Sequence, residues 1–319
     1  MGIFFIKKEY FAEDMKKTTL IILLILNMFF WAGNFYAVKI ALESCGPMSV
    51  AALRFLLGAI VLMFVLYFQL GNQVFKLRFS KNEWWYMFLT SFTGIFIGMY
   101  FFNLGLQSTS AINGSLIVAT GPAITAILSY FFLKIKINLL QLIAIIISFI
   151  GVVIVLVNGT LAQLLQLQFA VGDIYVLIMA IGFSLSQIIV SKYLTHVDTT
   201  VMTTITCSMG VVLFVLFSIP EMQSTPIPTD SIFWASILFM GLLGTGAAYA
   251  IYFYCVVELG ATTSTLFLNL IPLFTVLLGF LFGEQLKSAQ LIGGSVTIAG
   301  LLLFRYAKGI PEVSSQIEK

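Results

Sequence analysis

Apolar and polar positions alternate along this chain on the scale of whole helices: ten long apolar runs are parted by short polar breaks. The runs begin near Thr18, Pro47, Trp84, Ser108, Ile137, Val171, Thr200, Ile232, Ala261 and Ser288. Each supplies the roughly 20 mostly apolar residues with which a helix crosses a bilayer. The longest breaks, 71–83, 158–170 and 220–230, leave no room for a soluble domain. The expected architecture is all-α and integral to the membrane, with ten transmembrane helices. The first run continues to Leu42, longer than the about 7–15 residues of a signal peptide's apolar core, so it reads as a span rather than a removable leader. Residues 1–17 then form a cytoplasmic extension, with nothing functional placed in the first fourteen, and 307–319 a cytoplasmic tail.

Composition agrees with that pattern. The hydrophobic fraction is 60% and the charged fraction 9%, where a soluble domain carries roughly 25% charge. Mean hydropathy is +1.07. A formal net charge of +3 is too small to point to nucleic acid. Cys45, Cys207 and Cys255 are scattered and odd in number, so they read as small apolar packing residues, not as a disulfide framework or a metal site. With the N-terminus inside, thirteen of the 16 lysines and arginines fall on one side: Lys7, Lys8, Lys16, Lys17, Lys76, Arg78, Lys81, Lys134, Lys136, Lys192, Arg305, Lys308 and Lys319. Only Lys287 falls in an outer loop, while Lys39 and Arg54 lie within or at the ends of spans. That asymmetry is the positive-inside rule, and it puts both termini in the cytoplasm of a cell whose inner (plasma) membrane holds the chain.

The chain also repeats itself. At a shift of 150 residues Gly94 meets Gly244, Ala111 meets Ala261, Pro122 meets Pro272 and Phe132 meets Phe282. One loop residue later, Gln141-Leu142-Ile143 meets Gln290-Leu291-Ile292, and Gly151 meets Gly300. Helices three to five thus copy helices eight to ten, with a weaker match of one and two to six and seven. The repeats are expected over 18–157 and 171–306. Five crossings per unit is an odd number, so the second copy lies upside down, as in alternating-access transporters.

Several segments together give the chain a familiar look: "WAGNFYAVKIAL" in helix one, "PMSVAALRFLLGAI" with Arg54 in helix two, the mid-helix Pro122 and Pro272, and "FGEQLKSAQLIGGSVTIAGLLLF" at the end. In these the chain resembles the EamA branch of the drug/metabolite transporter superfamily, over essentially all of its length after Met15. It departs at Lys134, where many relatives repeat the glutamate that stands here only at Glu284. The resemblance implies a central cavity lined by helices one, three, four, six, eight and nine, and export of small metabolites, often amino acids.

Polar side chains inside a bilayer face other helices or a watery cavity, and here they fall at helical spacing. Asn27, Trp31 and Asn34 share one face of helix one; Tyr100, Asn103 and Gln107 share one of helix three. Helix four carries Asn113 and Thr120, helix six Ser184 and Gln187, helix eight Thr245, Tyr249 and Tyr252, and helix nine Thr262, Thr265 and Asn269. The expected substrate contacts are Trp31, Asn34, Tyr100, Asn103, Thr120, Gln187, Tyr249 and Asn269, although each is equally well placed to serve as helix-to-helix glue. Pro122 and Pro272 are expected to kink helices beside the cavity and free backbone carbonyls. Lys39, Arg54 and Asp173 read as an outer charge cluster, with Arg54 alternatively gripping a carboxylate. On this reading the midplane holds no ionisable group, which favours a neutral or zwitterionic small-molecule substrate over a nucleotide sugar.

Nothing in the sequence calls for a cofactor or a metal. The single histidine, His196, lies in an inside loop, and no catalytic set of residues accompanies it. The chain is therefore read as a secondary transporter that exports or exchanges small neutral or zwitterionic metabolites, amino acids or related compounds foremost, and not as an enzyme; transport of purines or other metabolites is an alternative. A non-transporting membrane sensor or assembly subunit is the competing reading. Coupling ion and oligomeric state are left open.

Overall fold

The computed structural model describes residues 17–134, 138–156, 170–259, 264, 267–283 and 285–307. The expectations on Lys136, Thr262, Thr265 and Glu284 lie outside the described residues, as does the side chain of Asn269. Among the described residues there are only helices. They are α1 (Lys17–Leu42), α2 (Pro47–Leu70), α3 (Lys81–Leu106), α4 (Ala111–Leu133), α5 (Leu139–Leu156), α6 (Val171–Tyr193), α7 (Thr199–Ser224), α8 (Ser231–Leu259), α9 (Leu270–Leu281) and α10 (Ser288–Tyr306). Seven of them are long and apolar enough to cross a membrane, and α5, α9 and α10 supply shorter apolar stretches.

Local chemistry sets where the helices start. Pro47 opens α2 at a position where a missing N–H costs nothing. The side chains of Ser110, Asp198 and Asp230 accept from the backbone N–H three residues on, capping α4, α7 and α8. Glu221 of α7 caps α2 from across the bundle, accepting from the N–H groups of Met48 and Ser49 at 3.2 and 2.9 Å. The duplicated Gln-Leu-Ile is a helix start in both halves. Gln141 Oε1 accepts from the Asn138 N–H at 2.9 Å, and Gln290 Oε1 from the Lys287 N–H at 2.8 Å. Gln290 Nε2 also donates to Asn113 Oδ1 at 2.9 Å, tying α10 to α4. Replacing Gln290 with leucine is expected to cost about 1 kcal/mol, seen as a lower melting midpoint in detergent; an unchanged midpoint would show the cap to be dispensable.

Packing displays the twofold relation of the halves. A Cβ on Gly151 of α5 would run into the backbone of Thr297 and Gly293 on α10. A Cβ on Gly300 of α10 would run into the backbone of Ser148 and Ala144 on α5. Each of these residues has its mate 149 positions on (144 and 293, 148 and 297, 151 and 300), so the contact is its own reciprocal. Reciprocity of this kind is the mark of a twofold axis. Helices α2 and α7 pack against one another in the corresponding way, and the remaining six helices lie around these two seams. Large apolar side chains such as Phe64, Phe68, Phe280 and Leu302 are exposed on the outer surface, as suits a surface solvated by lipid.

Two irregularities recur at the same symmetric places. π-helical turns span Ser91–Ile97 in α3 and Leu242–Ala247 in α8. Such turns widen a helix by one residue and leave its carbonyls open to other donors. Helix α4 is broken between Val118 and Gly121, and α9 is preceded by a 3-10 turn at Phe267–Asn269. Pro122 therefore does not kink a continuous helix. It sits in the first turn of a new helical segment, where its missing N–H is harmless. Pro272 is likewise in the first turn of α9.

Candidate functional site

Helix α1 carries its polar face inward because Trp31 and Asn34 find a partner there. The π turn of α8 offers the carbonyl of Gly244, which accepts from Trp31 Nε1 at 3.1 Å and from Asn34 Nδ2 at 3.3 Å. Only glycine fits at 244, since a Cβ would overlap the Asn34 amide. The Trp31 indole packs against Phe183, Tyr249 and Tyr252, with ring centroids 5.9, 5.9 and 4.8 Å away. The Tyr252 hydroxyl donates to Gln187 Oε1 at 3.0 Å, joining α8 to α6.

Trp31, Asn34, Phe183 and Tyr249 border a cavity of about 60 Å³. Trp31, Asn34 and Phe35 of α1 line it together with Met99 and Phe102 of α3, Val118 of α4, and Met179 and Phe183 of α6. Arg54 of α2, Tyr249 of α8, and Leu268 and Ile271 at α9 complete the wall. Symmetry mates recur around it. Met99 and Tyr249 are 150 residues apart, as are Val118 and Leu268, and Trp31 and Phe183 are 152 apart. The cavity thus lies where the two halves meet.

Of the residues singled out from the sequence, Trp31, Asn34, Tyr249 and Arg54 come together here. Others are elsewhere. Asn103 is buried but donates to the Pro47 carbonyl at 2.8 Å, fastening α3 to the start of α2. Tyr100 packs its ring on Phe101. The cavity face of α3 is the neighbouring apolar one, of Met99 and Phe102, which polarity could not reveal. Thr120 donates to the Ile117 carbonyl within the break of α4, and Gln187 is held by Tyr252.

The outer charge cluster needs correction. Arg54 joins neither Lys39 nor Asp173, and an ionisable side chain stands in the cavity wall. Seven residues into α2, about 10 Å along its axis, the Arg54 side chain is 1% exposed and turned into the cavity wall. Its Nε donates to Thr245 Oγ1 at 3.3 Å, and its guanidinium lies 5.2 Å from the Phe55 ring centre. Glycines at 58 and 241 let α2 and α8 approach closely enough for this reach. Lys39 and Asp173 do converge, but through a third residue: Lys39 Nζ donates to the Thr109 carbonyl at 2.8 Å, and Thr109 Oγ1 donates to Asp173 Oδ1. The ion pair found among the described residues is His196 with Glu83, at 2.8 Å on the surface. The three cysteines are free and buried.

Comparison with other proteins adds the following. Residues 18–157 and 170–306 each match the profile of the EamA-like transporter family. The chain is similar to the uncharacterized transporter YyaM of Bacillus subtilis (strain 168), 29% identical over 95% of this chain and 98% of that protein. An uncharacterized transporter of Archaeoglobus fulgidus is 27% identical, with 88% and 96% covered. The chloroplastic WAT1-related protein At3g02690 of Arabidopsis thaliana is 24% identical, with 90% and 69% covered. One protein of known crystal structure, 17% identical, superposes with a TM-score of 0.64 over 91% of this chain and 98% of its own, a likeness of fold alone.

Proposed function

The chain belongs to the EamA-like transporter family, and from this we propose that it exports small neutral or zwitterionic metabolites, amino acids foremost, by alternating access through the central cavity. The observation that carries the reading is the cavity's position: symmetry-mated residues of both halves line it. Its about 60 Å³ is room for a few water molecules, so a metabolite enters only when the halves part. Trp31, Asn34 and Tyr249 are the contacts we assign. Asn269 is kept as a contact on sequence grounds, and Tyr100, Asn103, Thr120 and Gln187 act as supports. In this reading repeats 18–157 and 171–306 rock against one another in the plasma membrane, with both termini in the cytoplasm.

Counterflow in proteoliposomes tests this. Liposomes preloaded with unlabelled amino acids and bearing the protein are expected to take up labelled substrate well above protein-free liposomes. Val118→Phe, which fills the cavity from α4, is expected to bring uptake to that background while the melting midpoint stays near wild type. Equal uptake with and without protein removes the carrier reading. Full uptake in a folded Val118→Phe variant moves the pathway elsewhere.

A further inference from the structure

We propose that Arg54 is where the substrate's carboxylate docks, and hence a determinant of which metabolites pass; this rests on the carrier reading above. A guanidinium presents five N–H donors in a planar fork. In Arg54 the Nε–H is used on Thr245, while among the described residues Nη1 has no hydrogen-bond partner and no carboxylate forms an ion pair with the group. A charge buried without a counterion is expensive in a membrane interior. An incoming anion relieves that expense, and the fork matches a carboxylate in two parallel bonds.

Asn34 adds a second unused group. The Gly244 carbonyl can only accept, so the amide nitrogen must face it, and Oδ1 is left buried without a partner. An unpaired acceptor suits an ammonium. Arg54 and Asn34 are held by consecutive residues of α8, Thr245 and Gly244. Most of the remaining wall is apolar: Met99, Phe102, Met179, Phe183, Leu268 and Ile271. The site is thus shaped for one carboxylate on an apolar body, with a place for an α-ammonium beside it. A phosphate dianion would need more than the single cation in the lining. The arrangement is one-sided, since the position 152 residues on from Arg54 is Thr206, whose hydroxyl donates to its own helix at the Thr203 carbonyl.

The full chain in detergent is melted with L-leucine, L-methionine and L-phenylalanine, with the deaminated 2-oxo acid of each, and with each amino acid's amide. The carboxylates are expected to raise the melting midpoint and the amides to leave it in place. Arg54→Met removes an unpaired buried charge, so the empty variant is expected to melt at or above wild type while carboxylate affinity falls about 100-fold; Arg54→Lys, a point charge without the fork, loses about 10-fold. Amino acids binding above their oxo acids places the ammonium on Asn34. Equal binding assigns the carboxylate alone, and either result supports Arg54 as the anchor. Amides that shift the wild type as far as the acids, an Arg54→Met variant of undiminished affinity, or a wild type that no carboxylate moves would each overturn the assignment. Counterflow of an amino acid surviving undiminished in Arg54→Met would remove this inference and leave the carrier standing; absent counterflow in wild type removes the carrier itself.

Discussion

Gly300→Leu is expected to leave little folded protein: in detergent the monodisperse peak should shrink and the melting midpoint fall steeply. A Cβ at 300 would lie 2.6 Å from the Ser148 nitrogen and 2.8 Å from the Ala144 carbonyl oxygen, which are backbone atoms of the facing helix. Backbone atoms cannot turn aside as a side chain does, so α5 and α10 must separate along their seam. Overpacking ordinarily costs 1–3 kcal/mol and sometimes more; here about 3 kcal/mol or above is expected. Helices in lipid associate through close approach at small residues, because no hydrophobic force drives them together. Gly151→Leu, the symmetry mate, should behave alike. Gly283 is the control. Its left-handed backbone, φ 72°, has open space around it, so alanine there costs about 1–2 kcal/mol of local backbone strain without parting any helices. A Gly300→Leu protein that melts with wild type would mean that the seam is not built as described.

Trp31→Ala carries the second large effect. The indole is 9% exposed and touches three aromatic rings from α6 and α8. Truncating a packed tryptophan costs about 3–5 kcal/mol. Trp31→Phe keeps most of that packing and gives up the N–H to Gly244, whose carbonyl retains Asn34. That substitution should cost about 1 kcal/mol. Thermal melting of the two variants separates the contributions: a wide gap assigns the stability to the rings, whereas equal losses would assign it to the hydrogen bond.

Periodicity made the inward face of α1 legible, because Trp31 and Asn34 are polar residues at helical spacing and both meet the cavity. The same rule misled on α3. A buried polar residue that ties one helix to another looks, in a sequence, like one that faces a ligand, and Asn103 is the former. The apolar residues of the wall, Met99, Val118 and Leu268, carried no polar signal, although the shift of 150 already matched the segments that contain them. The neighbours of Arg54 were illegible for a different reason. Its expected partners were Lys39 and Asp173, but its surroundings depend on α8, nearly 200 residues further along, and on glycines that let the two helices close. The π turns were invisible as well, since an i→i+5 bond leaves no mark on hydropathy. Gln141 and Gln290 were seen as a repeated phrase, and their caps give the repetition a physical cause.

The twofold relation has a mechanical meaning beyond lining one chamber. If the halves rock as proposed, the opposite tilt is obtained by giving each half the other's posture. The mates of Trp31 and Asn34 on that exchange are Phe183 and Ser186, which face Gly94 as the former pair faces Gly244. Phenylalanine has no donor, and the Ser186 hydroxyl already donates to the Phe183 carbonyl. The close approach at the glycine is therefore shared by both halves, while the two hydrogen bonds to its carbonyl belong to one of them. Shape is repeated across the axis and chemistry is not: at this place one half carries a tryptophan and an asparagine where the other carries a phenylalanine and a serine.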